Sequence, residues 1–147
     1  MNNRREFLKK AGLLLGAGLA LPVVSNVLSS CNTNSVTPVS SITVKITDYP
    51  ALTNTGGATS VTNAGFNQGA PVIIVKTSAS TFNTFSGICP HEGCSVDPPA
   101  NNQIYCQCHG SIFSTTDGGV LRGPARSALQ SLTNSFNSTS NILTIGS

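Results

Sequence analysis

The sequence predicts a small all-β domain, sandwich-like or barrel-like, placed after a separate N-terminal leader. Ser, Thr, Asn and Gly are abundant, apolar residues of the body fall in short runs rich in β-branched side chains, and glycines separate those runs. These residue types favour turns and short strands over long helices. The 147 residues leave room for one domain once a leader is removed.

The first 30 residues have the layout of an export signal. The start MNNRREFLKK is positive, an apolar run follows, and small residues precede Cys31. This order is typical of a secretory leader. Arg4-Arg5 followed by Glu6-Phe7-Leu8-Lys9 also resembles the twin-arginine signal, which exports proteins already folded. We therefore predict a twin-arginine-type signal peptide over residues 1–30.

Leu28-Ser29-Ser30-Cys31 resembles the lipobox of bacterial lipoproteins, which implies a lipid on Cys31. Alternatively, Ala11–Leu28 stays as an uncleaved anchor, although its Gly and Pro suit poorly a span that needs about 20 apolar residues. Residues 31–41, rich in Ser, Thr, Asn and Pro, are predicted to form a flexible tether to a domain at 42–147. Either arrangement predicts a membrane-anchored domain on the outer (periplasmic or extracytoplasmic) face.

Six segments of the body are predicted strands. Ile42–Thr47 alternates, with Val44 and Ile46 on one face, and Pro71–Lys76 is a continuous apolar run suited to a strand buried on both faces. The other four are Phe82–Ile88, Gln103–Cys106, Val120–Arg122 and Ile142–Ile145. One short helix is predicted around Ala125–Leu132.

The charges of the body exclude a nucleic-acid-binding function. From Cys31 onward, four basic residues face four acidic ones, without a basic patch. They are Lys45, Lys76, Arg122 and Arg126, with Asp48, Glu92, Asp97 and Asp117. A nearly neutral body lacks the electrostatic footprint that phosphate backbones require.

Two blocks, CPHEGC at 89–94 and CQCHGS at 106–111, carry the candidate chemistry. Each holds a Cys and a His two or three positions apart, with a Gly nearby. The residue types permit a zinc site of two Cys and two His, two disulfides in one of three pairings, or a [2Fe–2S] centre with two Cys on one iron and two His on the other. The disulfides leave both histidines unexplained, and zinc leaves Cys94 and Cys108 without a role.

CPHEGC followed by CQCHGS resembles the Rieske proteins of the cytochrome bc and bf complexes, a disulfide-containing type shared with arsenite oxidase small subunits. Asp117–Ala125 resembles the family's stretch ending in a Gly-Pro-Ala loop over the cluster, and the likeness covers roughly Ile42 to Ile145. It implies an antiparallel β-sandwich or barrel with a cluster-binding subdomain of two loops.

The resemblance also assigns the site residues. It implies that Cys89 and Cys106 bind one iron of a [2Fe–2S] cluster, that His91 and His109 bind the other, and that Cys94 is bridged to Cys108. Two neutral imidazoles in place of thiolates make reduction easier, and such centres span roughly −150 to +300 mV.

Three further residues are expected to tune the cluster. The resemblance implies that the Ser111 hydroxyl donates a hydrogen bond to a bridging sulfide. Phe113 stands where many high-potential members have a Tyr, which predicts a lower potential here. Glu92 would either stabilise a protonated His91 or be a solvated loop residue.

The predicted function is one-electron transfer from a quinol to a cytochrome in a membrane respiratory chain, with the exposed edge of His91 or His109 accepting the quinol hydrogen bond. Expected partners are quinol with cytochrome b-type and cytochrome c-type proteins, or a large oxidoreductase subunit. A second hypothesis is the small subunit of an exported molybdenum oxidoreductase, arsenite-oxidase-like. A third is a zinc-stabilised binding module. No residue is assigned to an independent active site, so the chain is expected to act as a relay within a complex.

Overall fold

The computed structural model describes residues 38–147, which fold into nine antiparallel strands and three short 3-10 turns. No α-helix occurs within this range, so the predicted all-β class is confirmed. The strands are β1 (Ser41–Lys45), β2 (Ala58–Val61), β3 (Val72–Lys76), β4 (Phe82–Ser86), β5 (Gln103–Cys106), β6 (Ser111–Ser114), β7 (Val120–Arg122), β8 (Thr133–Asn137) and β9 (Ile142–Gly146).

The strands form three three-stranded sheets, in the orders β1-β9-β8, β2-β3-β4 and β5-β6-β7. In the first sheet, Val44 pairs with Leu143. Ile42, Val44 and Ile46 are all buried, as the alternation in the sequence predicts. The third sheet carries the candidate site, because the CQCHGS block connects β5 to β6.

Strand β3 lies between two hydrophobic cores, which explains its continuous apolar run. Val72 and Ile74 pack into a first core with residues of β1 and β9. Ile73 and Val75 pack into a second core with Phe85, Cys89 and Cys106 among its other members. Burying each such aliphatic or aromatic side chain stabilises the fold by roughly 1.5–3 kcal/mol. The second core therefore fixes the cysteines of both motif blocks to the sheets.

The predicted helix around Ala125–Leu132 is wrong. This segment is irregular, because its backbone groups bond to other segments: Leu129 donates to the Gly118 carbonyl and Gln130 accepts from Ser86. Strands β2, β6 and β8 were not predicted, and several predicted strands end one or two residues away from their observed limits.

The predicted signal peptide at 1–30 and the lipidation site Cys31 lie outside the described residues, as does most of the tether at 31–41. Between residues 38 and 147, no helix is long and apolar enough to cross a membrane.

Candidate metal centre

The two motif blocks form loops of the same construction. In the first, the Gly93 N–H donates to the Cys89 carbonyl at 2.9 Å; in the second, the Gly110 N–H donates to the Cys106 carbonyl at 3.0 Å. Both glycines have left-handed backbone angles, with φ of +78° and +75°, which a residue without a Cβ adopts without strain. Each turn therefore begins at a cysteine of the second core and carries a histidine toward the surface.

Cys89 and Cys106 are free thiols in the apolar interior, each 1% exposed. Burial raises the pKa of the Cys106 thiol, and its hydrogen bond with Cys89 raises it further, whereas backbone N–H groups of Cys108 and His109 lower it. These N–H groups point at the sulfur and would stabilise a thiolate bound to a metal. The interior thus offers two neighbouring sulfur ligands.

The two histidines come together outside the thiols. His91 Nδ1 lies 3.2 Å from His109 Nδ1, and their rings meet edge to face at a centroid distance of 4.8 Å. Two nitrogens that bind one metal at about 2.0–2.1 Å with a near-tetrahedral angle lie about 3.3–3.4 Å apart. The two Nδ1 atoms are therefore spaced as two ligands of one ion.

The sulfur donors and the nitrogen donors form separate groups, and this separation distinguishes a site for one zinc ion from a site for two metal ions. Ligand atoms of His91, Glu92 and His109 lie within 4.8 Å of one another, as do those of Cys94, Cys106 and Cys108, but the described chain has no such group that mixes cysteine with histidine. A tetrahedral zinc ion would bring all four donors within about 4 Å of one another. Within the sulfur group Cys94 and Cys108 are joined to each other, so its free thiol is Cys106, which shares the second core with Cys89. Thiols in the core and imidazoles nearer the surface fit a group with two metal ions, one held by sulfur and one by nitrogen.

A disulfide joins Cys94 to Cys108, and so links the first loop to the second. This is the pairing that the family resemblance implies. With these two cysteines bridged, Cys89 and Cys106 are the free cysteines of the described chain. The bridge holds together two loops that otherwise expose much of their surface.

The Glu92 carboxylate makes its ion pair with His109, and a ring nitrogen of its sequence neighbour His91 also lies within 4.8 Å of it. Its Oε2 atom is 3.6 Å from His109 Nε2, and the side chains of His109 and Glu92 are 45% and 62% exposed. Exposed ion pairs contribute roughly 0–1 kcal/mol, so this contact adds little to stability. It does place an acidic group beside the outer nitrogen of one histidine.

A third segment, Gly123–Ala125, covers the second loop. The Ala125 N–H donates to the Ser111 hydroxyl at 3.1 Å, and Ser111 is fully buried. Gly123 has φ +103°, and a Cβ there would lie 2.7 Å from the Gly110 carbonyl oxygen and 2.8 Å from the Ser111 nitrogen. Only a glycine permits this close approach. No acceptor for the Ser111 proton is found among residues 38–147, so that proton is available to a bound group.

Beside His91 the covering segment borders an open cleft of about 570 Å³, lined by Pro90, His91 and residues Gly123 to Arg126. The family resemblance implied that Gly123-Pro124-Ala125 forms a covering loop, but the sequence analysis gave no role to Pro90 or Arg126. The sequence did contain one indication that Arg126 lies near the site: Arg122 and Arg126, the two arginines after Cys31, flank that loop.

Phe113 is fully buried in the same core as both thiols.

Comparisons with known proteins agree with this geometry. The family model for the Rieske [2Fe-2S] domain matches residues 51–133. The chloroplastic cytochrome b6-f complex iron-sulfur subunit of Bigelowiella natans is 44% identical over 61 residues, which cover 40% of this chain and 24% of that protein. A proposed respiratory nitrate reductase Rieske subunit of Haloferax mediterranei is 36% identical over 61 residues, or 40% of this chain and 28% of that protein. The match thus spans about a quarter of these relatives' length.

Among solved structures, a quaternary ammonium Rieske monooxygenase has a TM-score of 0.54 at 20% identity, covering 76% of this chain and 34% of that one. At this level of identity the likeness shows the fold alone.

Proposed function

The chain belongs to the Rieske [2Fe–2S] domain family, and from this premise we propose that it passes single electrons from a quinol to a cytochrome in a membrane respiratory chain. Members of the family bind a [2Fe–2S] cluster and take part in Rieske-type electron transfer. When bound, the cluster supplies one-electron redox chemistry at roughly −150 to +300 mV. We propose that Cys89 and Cys106 hold one iron, and that His91 and His109 hold the other.

The observation that carries this ligand assignment is the separation of the donors into two pairs. The Nδ1 atoms of His91 and His109 lie 3.2 Å apart, and the free thiols of Cys89 and Cys106 are buried together in the second core. A single zinc ion would need all four donors around one point. The hypothesis of a zinc-stabilised binding module is therefore less favoured than that of a [2Fe–2S] centre.

The residues around the donors give the site a buried side, which holds the thiols, and a solvent-exposed side, which holds the imidazoles. Cys89 and Cys106 sit in the second core, where Ile104 and Phe113 exclude water. The imidazoles reach the surface, and the His109 side chain is 45% exposed. Because Nδ1 of each ring faces the other, Nε2 is left as the atom that can accept a hydrogen bond from a quinol hydroxyl. A redox partner would accordingly meet the histidine edge.

The quinol-to-cytochrome role draws its support from the name of one relative, a cytochrome b6-f complex iron-sulfur subunit. A second relative is named as a Rieske subunit of a respiratory nitrate reductase. This favours one alternative, in which the chain is the small electron-transfer subunit of an exported molybdenum oxidoreductase of the arsenite-oxidase kind. Co-purification from native membranes separates the two, since a large catalytic subunit is expected only for the alternative.

We also propose that the domain is exported by the twin-arginine route and is anchored through lipidated Cys31 on the outer (periplasmic or extracytoplasmic) face of the membrane. The support is the pattern of residues 1–31 in the sequence. Labelled fatty acid should enter the wild-type chain but not Cys31→Ala, and the variant should be released from the membrane. Equal labelling of both chains would contradict lipidation at Cys31.

The ligand assignment is tested by metal analysis and electron paramagnetic resonance of the purified protein. We expect iron and labile sulfide in equal amounts, and a signal of a His-ligated cluster after reduction. His109→Ala should lose the signal, whereas Gln107→Ala, an exposed neighbour on the same loop, should keep it. Zinc without iron or sulfide in the wild-type protein would overturn the proposal. A redox titration then tests whether the potential suits quinol as the donor.

A further inference from the structure

The cleft beside His91, lined by Pro90, His91 and residues Gly123 to Arg126, has an unpaired cation at its rim. We call it the Arg126 cleft. Arg126 is exposed, and its guanidinium makes neither an ion pair nor a side-chain hydrogen bond within residues 38–147; the ion pair found in that range joins Glu92 to His109. A guanidinium offers five donors in a planar fork that matches a carboxylate. The cleft therefore presents an unused anion-binding group.

Charged groups of both signs lie near the two histidines. Arg122 and Arg126 flank the covering segment Gly123–Ala125 in the sequence, and Arg126 lines the cleft together with His91. Glu92 contacts His109 and does not line the cleft. Among the side chains that line the cleft, Arg126 carries the positive charge, and it attracts an acidic group that approaches the cleft.

The wall of the cleft is held in place before any ligand arrives. The covering segment is bonded to Ser111 through the Ala125 N–H, and Gly123 packs on the backbone of Gly110 and Ser111. Pro90 and Pro124 restrict the backbone on the two sides. A wall that does not need to be ordered on binding lowers the entropic cost of association.

We propose that the Arg126 cleft binds a carboxylate on an acidic surface of the electron-accepting partner protein, and so docks that partner against His91. This inference rests on the proposed electron-transfer function and names the chemistry of the partner. A bidentate pair between Arg126 and the carboxylate gives orientation. The positive charge of Arg126 steers the encounter and makes its rate depend on salt.

The first test compares two small oxidants of opposite charge. Reduced protein is mixed with ferricyanide, a trianion, or with tris(phenanthroline)cobalt(III), a trication; each takes one electron, and the reduced cluster loses one. Arg126→Glu should slow the ferricyanide reaction by about three- to tenfold at low ionic strength and accelerate the cobalt reaction. High salt should remove most of the difference. Lys45→Glu is the matched control: Lys45 is exposed on β1 of another sheet, and we expect a change of less than about twofold.

A second measurement uses poly-L-glutamate as a model acidic surface. It should inhibit ferricyanide oxidation of the wild-type protein, and inhibit the Arg126→Glu variant much less. Equal effects of Arg126→Glu and Lys45→Glu, or equal inhibition of wild type and variant by the polymer, would overturn the docking proposal while leaving the cluster assignment intact. A wild-type protein without a reducible cluster overturns the proposed function itself, and the docking proposal with it. Visible absorption of each variant verifies that the cluster is present.

Discussion

The hydroxyl oxygen of Ser111 accepts a hydrogen bond from the backbone N–H of Ala125 at 3.1 Å, and this bond links the covering segment to the CQCHGS loop. Because the oxygen acts here as acceptor, its proton remains free to donate. Ser111 is fully buried and directly follows the Cys106–Gly110 turn. The Ser111 side chain thus holds the covering segment in place and also leaves its hydroxyl proton free to donate to a bound cluster.

Ser111→Ala is expected to lower the midpoint potential by about 60 to 130 mV, since a hydrogen bond to a charged group contributes about 1.5–3 kcal/mol and about 59 mV corresponds to 1.4 kcal/mol for one electron. The variant should also lower the free energy of unfolding by about 1–3 kcal/mol, because the Ala125 N–H loses its partner. Redox titration and thermal unfolding measure the two effects. An unchanged potential in a variant that retains its cluster would show that the Ser111 proton points elsewhere.

Phe113→Tyr is expected to raise the potential. Phe113 is fully buried in the core that holds the Cys89 and Cys106 thiols, and a hydroxyl added there is expected to donate to one of these sulfur atoms. One neutral hydrogen bond of about 0.5–1.5 kcal/mol corresponds to about 20 to 65 mV. Phe82→Tyr adds the same group to the other core and should leave the potential unchanged. If both substitutions have the same effect, the position of Phe113 has no special influence on the cluster.

Gly123→Ala should disrupt the cover. Its Cβ would lie 2.7 Å from the Gly110 carbonyl oxygen, and the φ of +103° is strained for any residue with a side chain. We expect a loss of about 3 kcal/mol or more of unfolding free energy, together with faster loss of the cluster. Gly56→Ala is the control, because Gly56 also has positive φ (+86°) but has open space around it; strain alone costs about 1–2 kcal/mol. Equal losses in the two variants would mean that the close approach at Gly123 is unimportant.

The sequence predicted those elements whose signal is local. The run Val72–Lys76 could be predicted as a strand buried on both faces because its own apolar side chains pack into both cores. Strand β8 (Thr133–Asn137) escaped prediction because its sequence, TNSFN, is mostly polar and its stability comes from pairing with β9. The helix expected at Ala125–Leu132 failed for the same reason: bonds to β4 and to Gly118 override the local preference.

For the site as well, features that depend on local sequence could be predicted, whereas contacts between distant segments could not. The spacing of cysteines and histidines within each block is visible in the sequence, and the family resemblance implies the covering Gly-Pro-Ala segment. Contacts between blocks are not, because they depend on how three loops converge. The carboxylate of Glu92 contacts His109 although His91 is its neighbour in the chain. Arg126 gained a possible role only when the fold placed it at the rim of a cleft with His91.

Asp117→Asn tests a pH-dependent contribution to the turn between β6 and β7. The Asp117 carboxylate accepts the Gly119 N–H at 2.9 Å, and this bond, with one from the Ser114 hydroxyl, holds its pKa below the ordinary value of 3.8. A lowered folded pKa gives stability that is present above 3.8 and is lost as the pH falls through the folded value. Wild type should therefore be more stable than the variant at pH 7, and the difference should vanish at strongly acidic pH. A difference in thermal midpoint that stays constant from pH 7 to pH 3 would contradict this.

The double variant Cys94→Ser, Cys108→Ser tests what holds the two loops together. The bridge closes a sequence separation of 14 residues, and removing it should lower the free energy of unfolding by about 2–4 kcal/mol. The double variant is needed because a single change leaves an extra thiol beside Cys106, which could replace a true ligand. The strands should remain, since both cores persist without the bridge, so far-ultraviolet circular dichroism should be unchanged. Cluster absorption should instead decay several-fold faster, because the loops that carry His91 and His109 can then separate. If the decay rate equals that of wild type, the cluster itself would be the link that joins the loops.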